Sequence, residues 1–207
     1  MTSFLEASWQ SLTKNLPTIK ENYHQELVRL YSSKARFYHN LNHIEVLLKL
    51  SEEYKHLLNS PQTIDFTIWY HDAIYDASKN NNEEKSAELA KLHLTQLGLS
   101  EHLIDNCYNL IIATKTHALN DKLDSFDAQF FLDIDLSILA VERKQYIEYT
   151  KKIRKEYKMY PDFLYKKGRK KVLKHFLEME KIYKTELFFG LWEKQAKENL
   201  EEELIIL

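Results

Sequence analysis

The chain has 207 residues, of which 44% are hydrophobic and 29% charged, and a formal net charge of −2. That is enough apolar material for a buried core, and it excludes intrinsic disorder as the main state. With three Gly and three Pro, the chain has little room for a β-sandwich or barrel, which turns roughly every 8–12 residues.

The pattern reads helical almost throughout. Leu5, Trp9, Leu12 and Leu16 recur at helical spacing and predict a first amphipathic helix. Pro17 suits the first turn of a second, carrying Ile19, Tyr23, Leu27 and Leu30. Residues 32–40 read as a loop. A helix starting near Asn42 turns Ile44, Leu47, Leu48 and Leu50 inward. Pro61 and Thr63 open another over 64–75, apolar nearly all round, so a central buried helix is expected there. Residues 76–82 are a polar loop. Helix 83–97 stops at Gly98, and Ser100 caps the next, which runs to about 114. A loop over 115–124 leads to the apolar segment FDAQFFLDIDLSIL. Three further helices are predicted, over 141–159, 162–180 and 191–204. No repeat and no Gly/Ser/Pro linker interrupts the chain. The expectation is one all-α domain with a core over 32–159, on which residues 1–31 and 160–207 pack.

Several function classes drop out. The single Cys107 excludes an internal disulfide framework and a Cys-rich zinc site. No apolar run approaches the roughly 18 residues of a membrane span. The opening MTSFLEASWQ lacks the basic and apolar regions of a secretory signal. A cytoplasmic protein with no membrane partner is expected. Charge is unevenly spread: residues 151–174 hold eleven Lys/Arg against two acids, Glu156 and Asp162.

Chemistry-bearing residues sit in apolar surroundings. His71 and Asp72 adjoin inside the most apolar segment, where a buried His and Asp need pairing or a ligand. Asp133 and Asp135 interrupt FFLDIDLSIL. At i and i+2 they cannot share a helix face, so at least one points inward. An inward carboxylate needs a cation, a hydrogen-bond cage or a metal, although a helix break capped by Asp135 is the plainer reading. His43 opens the apolar face of its helix. Two imidazoles and two carboxylates from three segments make a mixed N/O set. Such a set suits Mn²⁺, Fe²⁺, Co²⁺, Ni²⁺ or Zn²⁺ better than Mg²⁺, and leaves positions for water and substrate.

The order H…HD…D on separate helices resembles the HD-domain superfamily of metal-dependent phosphohydrolases. The segments RFYHNLNHIEVLL, WYHDAIYD, NNEEKSAELA, IIATKTH, FLDIDLSIL, YTKKIRKEY, PDFLYKKGRKKVLKHFL and EKQAKENLEEEL are similar, in that order, to a bacterial branch of this superfamily. The resemblance implies an HD-type helical bundle whose central buried helix carries the His-Asp pair. It implies metal ligands at His43, with His39 competing, and at His71, Asp72 and Asp135. Asp133 becomes a supporting or bridging carboxylate, with one or two divalent ions per chain. Superfamily members acting on nucleoside monophosphates or ppGpp often place Glu three residues after the HD aspartate. Tyr75 stands there instead, followed by Asp76.

Asp76, one turn beyond Asp72 if the helix persists, and Glu83 are the candidates to position water or carry a proton. Glu83 and Glu84 also fit a capping box with Asn80 or Asn81. His117 is a candidate for substrate or a second metal. His93 and His102 fall in the same interval, His93 within an ordinary amphipathic helix. Arg36 and Arg154 are the candidate phosphate contacts, because a guanidinium fork matches phosphate oxygens. A salt bridge is the plain alternative for each. The expected activity is hydrolysis of a phosphate ester or anhydride, with nucleotides among the candidate substrates. Two other classes compete. One is a di-iron oxygenase using His117 and another histidine. The other is a non-catalytic module binding nucleotide or nucleic acid through 151–174.

Overall fold

The computed structural model describes residues 3–17, 22–119, 123 and 125–207. All regular structure among them is helical. The helices are α1 (Ser3–Thr13), α2 (Tyr23–Tyr31), α3 (Leu41–Glu53), α4 (Pro61–Tyr70), α5 (Asn82–Gln96), α6 (Glu101–Ala113), α7 (Phe126–Asp135), α8 (Arg143–Glu156), α9 (Asp162–Leu177) and α10 (Glu186–Ile206). Short 3-10 segments cover Lys55–Leu57 and Leu136–Ala140. The chain divides into two compact units, Met1–Phe131 and Leu132–Leu207. The division falls inside α7, and so inside the segment 32–159 expected to form one core. Of the second predicted helix, Ile19 lies outside the described residues.

In the first unit α4 packs against α1, α3, α5 and α6. Ile64, Phe66, Ile68, Trp69 and Tyr70 are fully buried, as expected of a helix apolar on nearly every face. Pro61 occupies its first turn. Just before it, the backbone N–H groups of Asn59 and Ser60 donate to Asp127, at 3.0 and 2.7 Å. The α5–α6 hairpin turns at Gly98, whose φ is +73°. Leu99 N donates back to Leu94 O at 3.1 Å and Gly98 N to Thr95 O at 3.0 Å, a Schellman-type ending that needs a left-handed residue. Ser100 then caps α6 by accepting from Leu103 N, as the sequence predicts.

One carboxyl on α4 carries a pH prediction. Asp65 accepts from Ser51 Oγ at 2.6 Å, and burial pushes its carboxyl up from 3.8 to about 6. The folded state therefore holds this proton over a range where the unfolded chain has released it. The associated stability is present below about pH 4 and is lost as pH rises through about 6. Asp65→Asn is expected to flatten that part of the profile by about 2 kcal/mol. Urea midpoints of both proteins from pH 4 to 7 test this; parallel curves would show that Asp65 does not titrate on folding.

In the second unit α10 packs against α9 and the segment Leu136–Ala140, which also meets α8. Buried polar side chains fasten these elements. Asn199 Nδ2 donates to Leu139 O and Val141 O, each at 2.9 Å. Glu193 accepts from Ile182 N and Tyr183 N. Arg169 Nε and Nη2 bond the two oxygens of Glu203 at 2.7 and 2.8 Å. α10 begins at Glu186, earlier than the expected 191, because Thr185 caps it by accepting from Phe188 N.

Candidate metal centre

His43, His71 and Asp72 come together in the first unit, with one ligand atom of each within 4.8 Å of the others. His43 projects from the first turn of α3. Asn40 caps that helix, its side chain accepting from Asn42 N at 2.9 Å. His71 directly follows α4. Both imidazoles are buried. Their Nε2 atoms stand 3.2 Å apart, and His71 Nε2 lies 3.3 Å from Asp72 Oδ2.

The tautomer of His71 follows from its other nitrogen. Nδ1 lies 2.9 Å from Ile68 O. A carbonyl only accepts, so Nδ1 carries the proton and, in the neutral ring, Nε2 carries the lone pair. On the other ring, His43 Nδ1 lies 3.3 Å from Tyr38 Oη. An outer partner on one ring nitrogen with the other turned inward is the usual arrangement of a ligating histidine.

The central helix ends earlier than expected. The predicted 64–75 helix stops at Tyr70, so His71 and Asp72 occupy its exit, not its middle. The last carbonyls of the helix are taken by other donors, Ile68 O by His71 Nδ1, Trp69 O by Tyr31 Oη and Tyr70 O by Ala73 N, and the chain just beyond is held by Arg36. Its Nη1 donates to Asp72 O at 2.6 Å and to His39 O at 3.2 Å, and its Nη2 donates to Ala73 O at 2.7 Å. These bonds satisfy carbonyls that lie beyond the last turn of α4. The guanidinium is buried and lies over the rings of Tyr31 and Tyr75. Arg36, expected to contact phosphate, thus holds the backbone that carries Asp72. Arg36→Met is expected to cost about 2–3 kcal/mol through lost charge-assisted bonds, and to weaken divalent-metal binding about 10- to 100-fold. Arg36→Lys should fall between, since an ammonium cannot span both carbonyls. Urea unfolding with calorimetric Mn²⁺ titration reads both effects; unchanged affinity would detach Arg36 from the cluster.

The remaining expected residues fall in several places. His39 is outside the cluster and stacks on Tyr75, with ring centroids 4.3 Å apart. Asp135 closes α7 in the second unit, so the first-unit cluster holds three of the four expected ligands. A helix break does occur at Asp135, yet its side chain makes no cap to the following segment. Asp133 is the inward member of the pair. Its oxygens accept from Lys184 N at 2.6 Å, Thr185 N at 2.8 Å and Thr185 Oγ1 at 2.7 Å. That cage of three donors holds it in place. Burial pushes its carboxyl up to about 6 despite these donors.

Asp76 does not share a helix face with Asp72, because the helix has already ended. Its Oδ1 accepts from Ser78 N and Ser78 Oγ at 2.9 and 2.7 Å, and those bonds hold its carboxyl below the ordinary range. Asn82 closes the same loop, bonding Asp76 N and Asp76 O. Glu83 lies in the first turn of α5, and Asn81 makes no side-chain cap there. Glu84 pairs with Lys115. His117 follows α6 with φ of +50°, a left-handed conformation uncommon outside Gly.

Arg154, in the second unit, contacts Asp162 through Nε and Nη2 at 3.1 and 2.6 Å. It also donates to Tyr157 O and Tyr160 O. The salt-bridge alternative describes it. His93 is a core histidine, its Nδ1 3.2 Å from Tyr70 Oη and its ring stacked on Tyr23. His102 Nε2 lies 3.2 Å from Asn106 Nδ2 at the surface.

Sequence reasoning missed Tyr38, Ile68 O and the backbone role of Arg36. Tyr38 and Arg36 lie in RFYHNLNH, but contacts to a main-chain carbonyl leave no side-chain signature. Comparison with protein-family models, curated proteins and solved structures finds no match to this chain.

Proposed function

We propose that the chain is a metal-dependent phosphohydrolase of HD type, cleaving a phosphate ester or anhydride. The observation that carries this reading is the convergence of His43 Nε2, His71 Nε2 and Asp72 Oδ2, with His71 held in the ligating tautomer by Ile68 O. Two of the three pairs have the spacing of ligands to a shared cation. Two ligands about 2.1 Å from one ion stand about 2.9–3.4 Å apart for octahedral to tetrahedral angles; His43–His71 and His71–Asp72 are at 3.2 and 3.3 Å, and all three ligand atoms lie within 4.8 Å of one another. Two imidazoles with one carboxylate favour Mn²⁺, Fe²⁺, Co²⁺, Ni²⁺ or Zn²⁺ over Mg²⁺.

When bound, the cation supplies Lewis acidity toward a phosphoryl oxygen and lowers the pKa of water. The chain's own residues set the geometry. Ile68 O and Tyr38 fix the two rings, and Arg36 fixes the backbone at Asp72. Glu83, at the start of α5, and Asp76, whose Oδ1 accepts from Ser78, are the proposed proton carriers.

The test is phosphate release by protein reconstituted with each of these ions, using p-nitrophenyl phosphates and a nucleotide panel. Turnover abolished by chelation and restored by one ion is the expected result. Tight metal binding without turnover on any substrate would favour a binding module. Two irons per chain with oxygen consumption would favour the oxygenase.

A further inference from the structure

We infer that the second unit carries a docking face for anionic membrane surfaces on α9, independent of the metal centre and of the proposed hydrolysis. α9 buries Arg169 and Leu173 on one side. The exposed side carries a ridge at helical spacing, Phe163, Lys167, Lys171 and Lys174, with the half-buried Lys170 at its edge. Phe163 is 70% exposed, and Met159 and Leu164 beside it are 53% and 46% exposed. Large apolar side chains grouped at the head of a basic helix are the pattern of a helix lying in a lipid interface.

The charge of this segment is more one-sided than its composition suggests. Of its two acids, Glu156 is withdrawn by burial, and Asp162, though exposed, is paired with Arg154. Its two arginines are withdrawn as well, Arg154 by Asp162 and Arg169 by Glu203. What remains at the surface is lysine. Lys166, Lys167, Lys170, Lys171 and Lys174 make no ion pair among the described residues. A row of flexible ammonium groups complements a diffuse anionic headgroup layer.

Nucleic acid is the less favoured partner. The forked guanidinium groups that grip phosphates are used internally here, and exposed Met and Leu gain nothing from a phosphodiester backbone. The contact inferred is with a membrane surface. No described helix is long and apolar enough to cross a membrane, and the expectation of no membrane partner is revised only to this extent.

The experiment is flotation of the full chain with vesicles. One set is phosphatidylcholine alone; the other is equal parts phosphatidylcholine and phosphatidylglycerol. Binding is expected only to the second, and it should weaken with added salt. Lys167→Gln with Lys171→Gln should weaken it about 25-fold, at about fivefold per lysine. Phe163→Ser should weaken it about tenfold through lost apolar insertion. All three positions are exposed, so circular dichroism and melting should match wild type. Equal binding to both vesicle types, or none to either, overturns the inference. Tighter binding to duplex or single-stranded nucleic acid than to the anionic vesicles, unchanged in Phe163→Ser, overturns it in favour of a nucleic-acid surface.

Discussion

Asp72→Ala is expected to abolish stoichiometric binding of a divalent transition metal, and with it any phosphate release. Asp72 supplies the one carboxylate of the first-unit cluster, 3.3 Å from His71 Nε2. Loss of a proposed direct ligand should exceed the roughly 10- to 100-fold cost of losing an outer partner. Stability gives a second readout. A cation that binds only the folded chain raises its stability by mass action, about 2.7 kcal/mol at a hundred times Kd. Wild type should therefore melt higher as Mn²⁺ or Zn²⁺ is titrated, and Asp72→Ala should not respond. The competing arrangement is a hydrogen bond between the two Nε2 atoms, which are also at hydrogen-bond distance. In that case wild type and variant would carry equally negligible metal, and neither would respond to titration.

Glu203→Ala should be the most destabilising single change in the second unit. Glu203 is buried and accepts two bonds from the equally buried Arg169, plus one from Tyr146 Oη at 2.5 Å. Truncation leaves a guanidinium in the interior without a counter-charge, a loss of about 3–5 kcal/mol. The melting temperature should fall by about 10 °C. Glu203→Gln, which keeps an acceptor but not the charge, should lie between. Arg169→Met with Glu203→Leu should recover most of the loss, because a well-packed apolar pair avoids desolvating two ions. If the double variant is no more stable than Glu203→Ala, the ion pair holds packing that hydrocarbon cannot replace. Calorimetric melting of the four proteins decides.

What the chain determines by itself is local. Helical spacing of apolar side chains, Pro61 at a helix start, Gly98 at a helix end and Ser100 as a cap all act within a few residues. Those marks stand at the helix ends they predict, although α4 stops at Tyr70, short of 75, and α2 begins at Tyr23 and not at Pro17. The burial of α4 is local too, since a segment apolar on every face has no side to give to water. His71 beside Asp72, and the impossibility of Asp133 and Asp135 sharing a face, could likewise be read directly.

Only the tertiary structure decided how each polar group is satisfied. The periodicity of 64–75 runs on past Tyr70. The helix stops at Tyr70, where Tyr31 Oη takes Trp69 O, and Arg36, thirty-odd positions earlier, holds the carbonyls of Asp72 and Ala73 just beyond. Asp133 and Asp135 look alike in sequence, yet Asp133 is caged by the backbone at 184–185, which lies beyond any local window. Arg36 and Arg154 both read as phosphate contacts, and both are committed to main-chain carbonyls that leave no trace in residue identity. A buried ion or hydrogen-bonding group must be matched by whatever partner the fold brings near it. Which partner that is depends on the packing of distant segments, so it cannot be read from the residues alone.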